Sequence, residues 1–541
     1  LIKPSRYDDD GYVIQWVRSG IPSNTLAVVN ALADDAARRQ VLGPDVPITV
    51  SSIDETNTRV DVDRIVADIR SGGGGMVGLV GVQTNQYPRA LDLARRFRAA
   101  NVPVVIGGFH VSGSLAMLPG VTPELQQALD LGVSLYAGEA EGRFDQVLRD
   151  AAAGALRPIY HYLDDLPALG GQPVPLLPAA RVRRTAGGLG SFDAGRGCPF
   201  LCSFCTIINV QGRGSRRRTA DDVEQIVREN AAIGINRFFV TDDNFARNDD
   251  WEAILDRLIA LRAEGLAAKY TLQVDTACHK IPGFIEKAGR AGVNRVYIGL
   301  ENIDPVNLKL AHKRHNKIGE YRAMLQAWKR ARVLTYAGYI LGFPSDTRES
   351  VLAAIRTIQH ELPIDLLEFF LLTPLPGSED HQRLTREGVV MEPDHNFYDL
   401  HHVTTDHPNL SRAELQQLYN DAWDAYYTPE HVARVLRRNA ATGYSVGNAL
   451  FWMMWFYRSV GMEGVHPLES GWLRIKARRD RRPSFPIEPR RAFYPRYAHD
   501  LVRGHVQMVR WWWHASRVRA EIKADPNAKA WRDQALEGFD A

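Results

Sequence analysis

The sequence predicts an α/β protein in three parts: a doubly wound parallel sheet, then an open, partial (β/α)6 barrel, then a mainly α-helical region. Three observations carry this. At 541 residues the chain is too long for one ordinary core. Through its first two thirds, short apolar, β-branched runs alternate with helical stretches, the order that builds parallel sheets. Beyond residue 386 the apolar periodicity becomes that of helices. With 45% hydrophobic and 24% charged residues the chain folds rather than staying disordered. A formal net charge of +3 is too small at this length to imply a nucleic-acid partner.

Taken in order, Leu1 to Pro4 reads as a strand already under way, as if the start were trimmed, and no signal peptide is visible. Met76 to Val82 is a buried-strand run, Pro88 to Ala100 a helix, and Val102 to Ile106 a second strand ending in Gly107-Gly108. Leu135 to Glu139 is a further strand and loop. Residues 1–160 therefore form a Rossmann-like, doubly wound domain. Residues 161–189 form a linker, rich in Pro, Gly and Leu from Asp164 to Pro178 and then basic.

Six more strands are expected at Gly190–Ala194, Arg237–Thr241, Tyr270–Val274, Arg295–Leu300, Ala337–Leu341 and Leu366–Leu372, making 190–385 the barrel. Thr219 with Asp222 caps the first helix of this series, and Asp346 with Glu349 a later one. Functional residues of such a barrel lie at the carboxyl ends of its strands. In residues 386–541, Ser411 with Glu414 and Thr428 with Pro429 mark helix starts. The longest apolar stretch, Ala449 to Tyr457, is far short of the about 18 residues that span a bilayer. Gly471 to Arg519 is Arg-rich and holds Trp511-Trp512-Trp513. It reads as an amphipathic helical region whose arginines pair with acids elsewhere, or as a face for an anionic substrate or membrane surface. Trp452, Trp455, Phe456 and Trp511–Trp513 suit a helical core or the burial of a hydrophobic substrate.

Of four cysteines, Cys198, Cys202 and Cys205 sit in one loop, Gly195-Arg196-Gly197-Cys198-Pro199-Phe200-Leu201-Cys202-Ser203-Phe204-Cys205. Iron–sulfur clusters are held by thiolates, and this short spacing lets one loop wrap a cubane. Three ligands leave one iron open to a small molecule. A zinc site would want a second Cys or His pair, and none is present. Cys278 stands apart. Unpaired cysteines of this kind belong in a reducing compartment, so the protein is read as cytoplasmic.

Here the sequence resembles the radical S-adenosylmethionine superfamily over about Gly190 to Asp380, through Cys198, Cys202 and Cys205 with the aromatic Phe204 before the last. The resemblance implies a 4Fe-4S cluster whose open iron chelates S-adenosylmethionine, and one-electron cleavage to a 5′-deoxyadenosyl radical. It also implies the strand ends that bind S-adenosylmethionine: Asp242 or Asp243 for the ammonium, Gln273 and Asp275 on the next strand, Glu301 for the ribose, and Ile340 with Phe204 near adenine. No catalytic residue is singled out. An electron donor such as flavodoxin or ferredoxin and a small-molecule substrate are implied partners.

Gly81 to Ala90, Val102 to His110 and Gly138-Glu139-Ala140-Glu141-Gly142 are similar to the cobalamin-binding domain joined to many of these enzymes. That likeness makes Gln83, Thr84, Gly107, Gly108, His110, Gly138 and Glu139 cobalamin candidates, although His110 equally suits a turn and no Asp-x-His-x-x-Gly motif occurs. The expected function is methyl transfer to an unactivated carbon. Oxidation or cyclisation without methyl transfer is one alternative, and a non-catalytic iron–sulfur scaffold with a basic binding module is another. A tRNA methylthiotransferase is excluded, because residues 1–197 contain no cysteine.

Overall fold

The computed structural model describes residues 1–539. Its strands are β1 (Ile2–Lys3), β2 (Gln15–Ser19), β3 (Ile53–Asp54), β4 (Val77–Leu79), β5 (Val104–Gly107), β6 (Ser134–Ala137), β7 (Ile159–His161), β8 (Leu189–Phe192), β9 (Gly195–Arg196), β10 (Arg216–Arg217), β11 (Arg237–Val240), β12 (Lys269–Val274), β13 (Val293–Glu301), β14 (Leu334–Leu341), β15 (Leu366–Leu371) and β16 (Gly471–Ile475). The first sheet runs β3-β1-β4-β5-β6-β7, all parallel. Its order reverses between β1 and β4, and such a switch point leaves a crevice beyond the carboxyl ends.

The second sheet runs β8-β11-β12-β13-β14-β15, again all parallel and in chain order from one edge to the other. Helices return the chain on one side, which is the open, partial barrel that the strand series predicts. Central strands buried on both faces read as continuous apolar runs; all eight residues of β14 are buried. Between β13 and β14 the register shifts after Ile298, and Glu301 takes a left-handed φ of 63°. A bulge of this kind re-aims a side chain at a strand end.

Thr219 with Asp222 and Ser411 with Glu414 form capping boxes, and Thr428 caps the helix opened by Pro429. One expected cap is corrected. Thr347 with Ser350, not Asp346 with Glu349, starts the helix Arg348–Glu361. Asp346 turns back instead, accepting from the amides of Gly342 (2.9 Å) and Phe343 (3.1 Å) and from Asn307 (2.8 Å).

The third part is carried by the helices Arg412–Tyr426, Pro429–Ala441, Val446–Gly461 and Arg490–Ala524. Trp455 and Phe456 are buried in the same core as the barrel strands. The stretch from Gly471 does not begin as helix: β16 pairs antiparallel with β2, Arg474 opposite Trp16. Pairing with a strand more than 450 residues earlier is a tertiary choice invisible to local periodicity. Among the described residues no helix is long and apolar enough to cross a membrane.

Candidate active site

The cysteine loop leaves β9 at the mouth of the barrel. Gly197 opens it with φ 94°, and a Cβ there would run into the Gly214 carbonyl. The loop is pinned by hydrogen bonds from Gly197 N to Asp243 Oδ2 (2.9 Å), Ser203 N to the Ala311 carbonyl (3.3 Å) and Ser203 Oγ to Asp380 (3.0 Å). Burial pushes the Cys202 thiol up to about 11, the Cys205 thiol up to about 12 and Cys198 upward as well. Three thiolates in such surroundings need a strongly positive group among them, and iron supplies that charge. Three thiols from one loop, with no fourth cysteine beside them, are the donor chemistry of a 4Fe-4S cluster with one iron left open. Cys278 is fully buried in the apolar core and takes no part.

Strand ends converge on that loop. Asp242, at the end of β11, accepts from the Ala194 amide (2.6 Å) and Asn248 (3.2 Å), while Gln273 donates to its carbonyl (3.1 Å). Burial raises both Asp242 and Asp243 to about 7. Asp243 is the one tied to the cysteine loop, through Gly197. Asp275 is engaged inside the protein. It accepts two bonds from Arg247 (2.7 and 2.9 Å) and one from Asn244 (3.0 Å). That pair holds Arg247 over the Phe200 ring (5.4 Å), whose other neighbour is His315, stacked at 3.6 Å.

Glu301 receives Lys313 Nζ at 2.6 Å, and Lys313 also donates to the Gly299 carbonyl (3.0 Å). Burial works against the Lys313 charge, but Glu301 and Cys202 carry its pKa above the ordinary lysine range. Phe204 packs against the apolar cluster of Ala311, Ile340 and Phe343, so the two residues expected near adenine share one cluster. Deeper in the barrel, Glu368 of β15 is fully buried, and neither carboxylate oxygen has a hydrogen-bond partner among the described residues. His466 Nε2 approaches it at 3.0 Å, out of line for a hydrogen bond. Burial raises Glu368 to about 8. Burial raises the Tyr297 hydroxyl well above its ordinary range, and the charges of Glu301 and Glu368 add to that.

A second crevice opens at the switch point of the first sheet. It is lined by Gly78, Gly81, Gly107, Gly108, Gly138 and Glu139 at strand ends, with Val28, Val29, Val105 and Phe144 around them. Gly108 has φ 149°, and a Cβ there would collide with the Val82 backbone. The barrel contributes Arg196, Val210 and Gln211 to this crevice. Arg196, two residues before Cys198, donates to Glu139 (2.6 Å), Glu141 (2.6 Å) and Asp193 (3.1 Å), and Arg216 also pairs with Glu139. Gly107, Gly108, Gly138 and Glu139 thus all line one cavity.

Three candidates are not part of this lining. Gln83 is exposed and caps a 3-10 turn. Thr84 is buried beneath His110, and the His110 side chain points away towards Glu124 and His395. Lys313, Arg247 and Arg196 escaped sequence reasoning. Arg196 borders the cysteine motif, and Lys313 stands in the basic run His312-Lys313-Arg314-His315 after β13.

Residues 194–358 match the Radical SAM superfamily. The hopanoid C-2 methylase of Rhodopseudomonas palustris is 25% identical over 362 residues, 65% of this chain and 64% of that protein. The match thus spans just under two thirds of that relative's length. Bacteriochlorophyllide d C-8(2)-methyltransferase of Chlorobaculum tepidum is 26% identical over 346 residues, covering 61% and 72% respectively. Among solved structures, the methyltransferase TsrM from Kitasatospora setae, with cobalamin and a 4Fe-4S cluster bound, aligns at TM-score 0.57 and 15% identity. The alignment covers 84% of this chain and 98% of TsrM. OxsB, with aqua-cobalamin and S-adenosylmethionine bound, aligns at TM-score 0.55 and 13% identity, over 96% of this chain and 81% of its own. These two likenesses are likenesses of fold.

Proposed function

We propose that this chain, a radical SAM superfamily protein through residues 194–358, is a cobalamin-dependent methyltransferase that delivers a methyl group to an unactivated carbon of a largely apolar small molecule. The observation that carries the reading is the join between the two crevices. Arg196 lines the first-sheet cavity, anchors it through Glu139 and Glu141, and leads directly into Cys198. Bound there, the cluster and S-adenosylmethionine would supply the radical that removes hydrogen, and cobalamin the methyl group.

In this reading Cys198, Cys202 and Cys205 hold the cluster. Asp243 orients the methionine ammonium, Glu301 accepts from a ribose hydroxyl, and Phe204 with Ile340 packs on adenine. The glycines at the ends of β4, β5 and β6 let backbone approach a broad, flat cofactor. Tyr297, Glu368 and His466 stand where a substrate reaching into the barrel would meet a polar anchor in apolar surroundings. Positioning two cofactors on one substrate replaces an improbable three-body encounter.

An external donor of the flavodoxin or ferredoxin type would supply the electron. The helix Arg490–Ala524 carries Val502, Val506, Val509 and Trp513 exposed along one stripe, with Arg503, Arg510 and Arg517 beside it. The spacing is that of a single helix face, and the flanking arginines favour an anionic membrane surface as its contact.

The decisive experiment incubates reconstituted protein with methyl-labelled S-adenosylmethionine, reductant and hydroxocobalamin. About one corrin per chain, S-adenosylhomocysteine and 5′-deoxyadenosine are the expected results. Cluster-loaded protein that binds no corrin and makes 5′-deoxyadenosine alone would replace the methyltransferase with a cobalamin-free radical enzyme.

A further inference from the structure

Away from both crevices, the molecule brings together a donor set that the proposed reaction does not use. His110 lies on the helix Phe109–Met117, Glu124 opens the helix Pro123–Asp130, and His395 begins the 3-10 turn His395–Phe397 in the segment after the barrel. One ligand atom from each lies within 4.8 Å of the other two, the only such set among the described residues. His110 is fully buried, and its Nε2 has no hydrogen-bond partner, standing 3.9 Å from Glu124 Oε1. The other ring nitrogen, Nδ1, is 3.4 Å from Thr84 Oγ1, which satisfies that side of the ring and leaves the Nε2 lone pair facing the group. A buried, unpartnered imidazole nitrogen costs free energy unless something occupies its lone pair.

We infer that His110, Glu124 and His395 form a binding site for a divalent transition-metal ion, Zn2+ by preference, which fastens the first domain to the segment that follows the barrel. Two imidazoles and a carboxylate are the donor chemistry of zinc and its neighbours, and too poor in oxygen for Ca2+ or Mg2+. The ion has a way in: a cavity lined by Tyr87, Arg95, Glu124, Asp394, His395 and Arg482 opens beside the ligands. None of these residues belongs to the cysteine loop, so the site is separate from the cluster.

Metal analysis of the cluster-loaded, full-length protein tests this. After dialysis against Zn2+ and gel filtration, about one zinc per chain should remain in addition to the iron. His395→Ala and, separately, the milder Glu124→Gln should each weaken zinc binding by at least about 100-fold while iron and sulfide stay unchanged. Co2+ in place of zinc should give visible bands of a nitrogen–oxygen site without thiolate charge-transfer absorption. The Cys198→Ala/Cys202→Ala/Cys205→Ala variant should still bind the ion. The inference fails if no zinc is retained, if both ligand variants retain it at wild-type affinity, or if binding disappears with the three cysteines. None of these readouts depends on the methyltransferase reading.

Discussion

At the carboxyl ends of the first sheet the groups on offer are backbone and hydrocarbon: Gly78, Gly81, Gly107, Gly108 and Gly138 with Val28, Val29, Val105 and Phe144. The second sheet has the same parallel order but ends in Asp242, Asp243, Gln273 and Glu301. The two sheets share an architecture and differ in what the strand ends can recognise. Removing side chains makes room for a broad body held by shape. Keeping charged ones, each pinned by an amide or an ion pair, prepares a site for a small, highly polar molecule beside three thiols. Arg196 is where the two meet, and its three carboxylate partners come from both sides.

The sharpest way to break the comparison is at the thiols. Cys198→Ala, Cys202→Ala or Cys205→Ala should each abolish cluster assembly, while Cys278→Ala, in the apolar core, should leave iron and sulfide contents unchanged. Retention of a full cluster in any of the first three would overturn the ligand assignment.

Arg196→Ala comes next. It leaves the buried Glu141 without its cation and takes one partner from Glu139, which keeps Arg216, and from Asp193; breaking a buried pair in this way costs about 3–5 kcal/mol. Chemical denaturation should register the loss, and a variant as stable as wild type would show that the junction is not held by this arginine.

Glu301→Gln should weaken S-adenosylmethionine binding by roughly ten- to a hundred-fold, about 1.5–3 kcal/mol, while leaving the cluster in place. Because Lys313 would lose its partner, Glu301→Gln/Lys313→Met serves as the control. If the double variant regains wild-type affinity, Glu301 acts only through Lys313.

The last effect is expected at Glu368, and its size depends on pH. Its folded pKa of about 8 lies above the reference value of 4.5, so the folded state holds the proton longer than the unfolded one. Wild-type stability therefore declines as pH rises from about 4.5 to 8. Glu368→Gln should remove that decline, gaining stability as pH rises from about 4.5 to 8 and nothing below pH 4.5. Equal unfolding curves for the two proteins at pH 8 would contradict a buried, neutral Glu368. A residue kept at such a cost suits a substrate contact better than a structural one.

Much of this was legible in the linear chain, and the reason is local. Strands of a parallel sheet are buried on both faces, so β11 to β15 announce themselves as apolar runs within a few residues of their observed bounds. The cysteine spacing is set by one loop. Caps such as Thr219 with Asp222 are written in four residues. Tertiary structure alone decided what depends on partners distant in sequence. His110 faces Glu124 and His395 rather than the first-sheet crevice because the segment after the barrel folds back over that helix. Asp275 is consumed by Arg247, Lys313 is brought to Glu301, and β16 leaves the helical pattern to pair with β2. In each case a buried charge or backbone edge needs a partner, and only the packed chain determines which residue arrives.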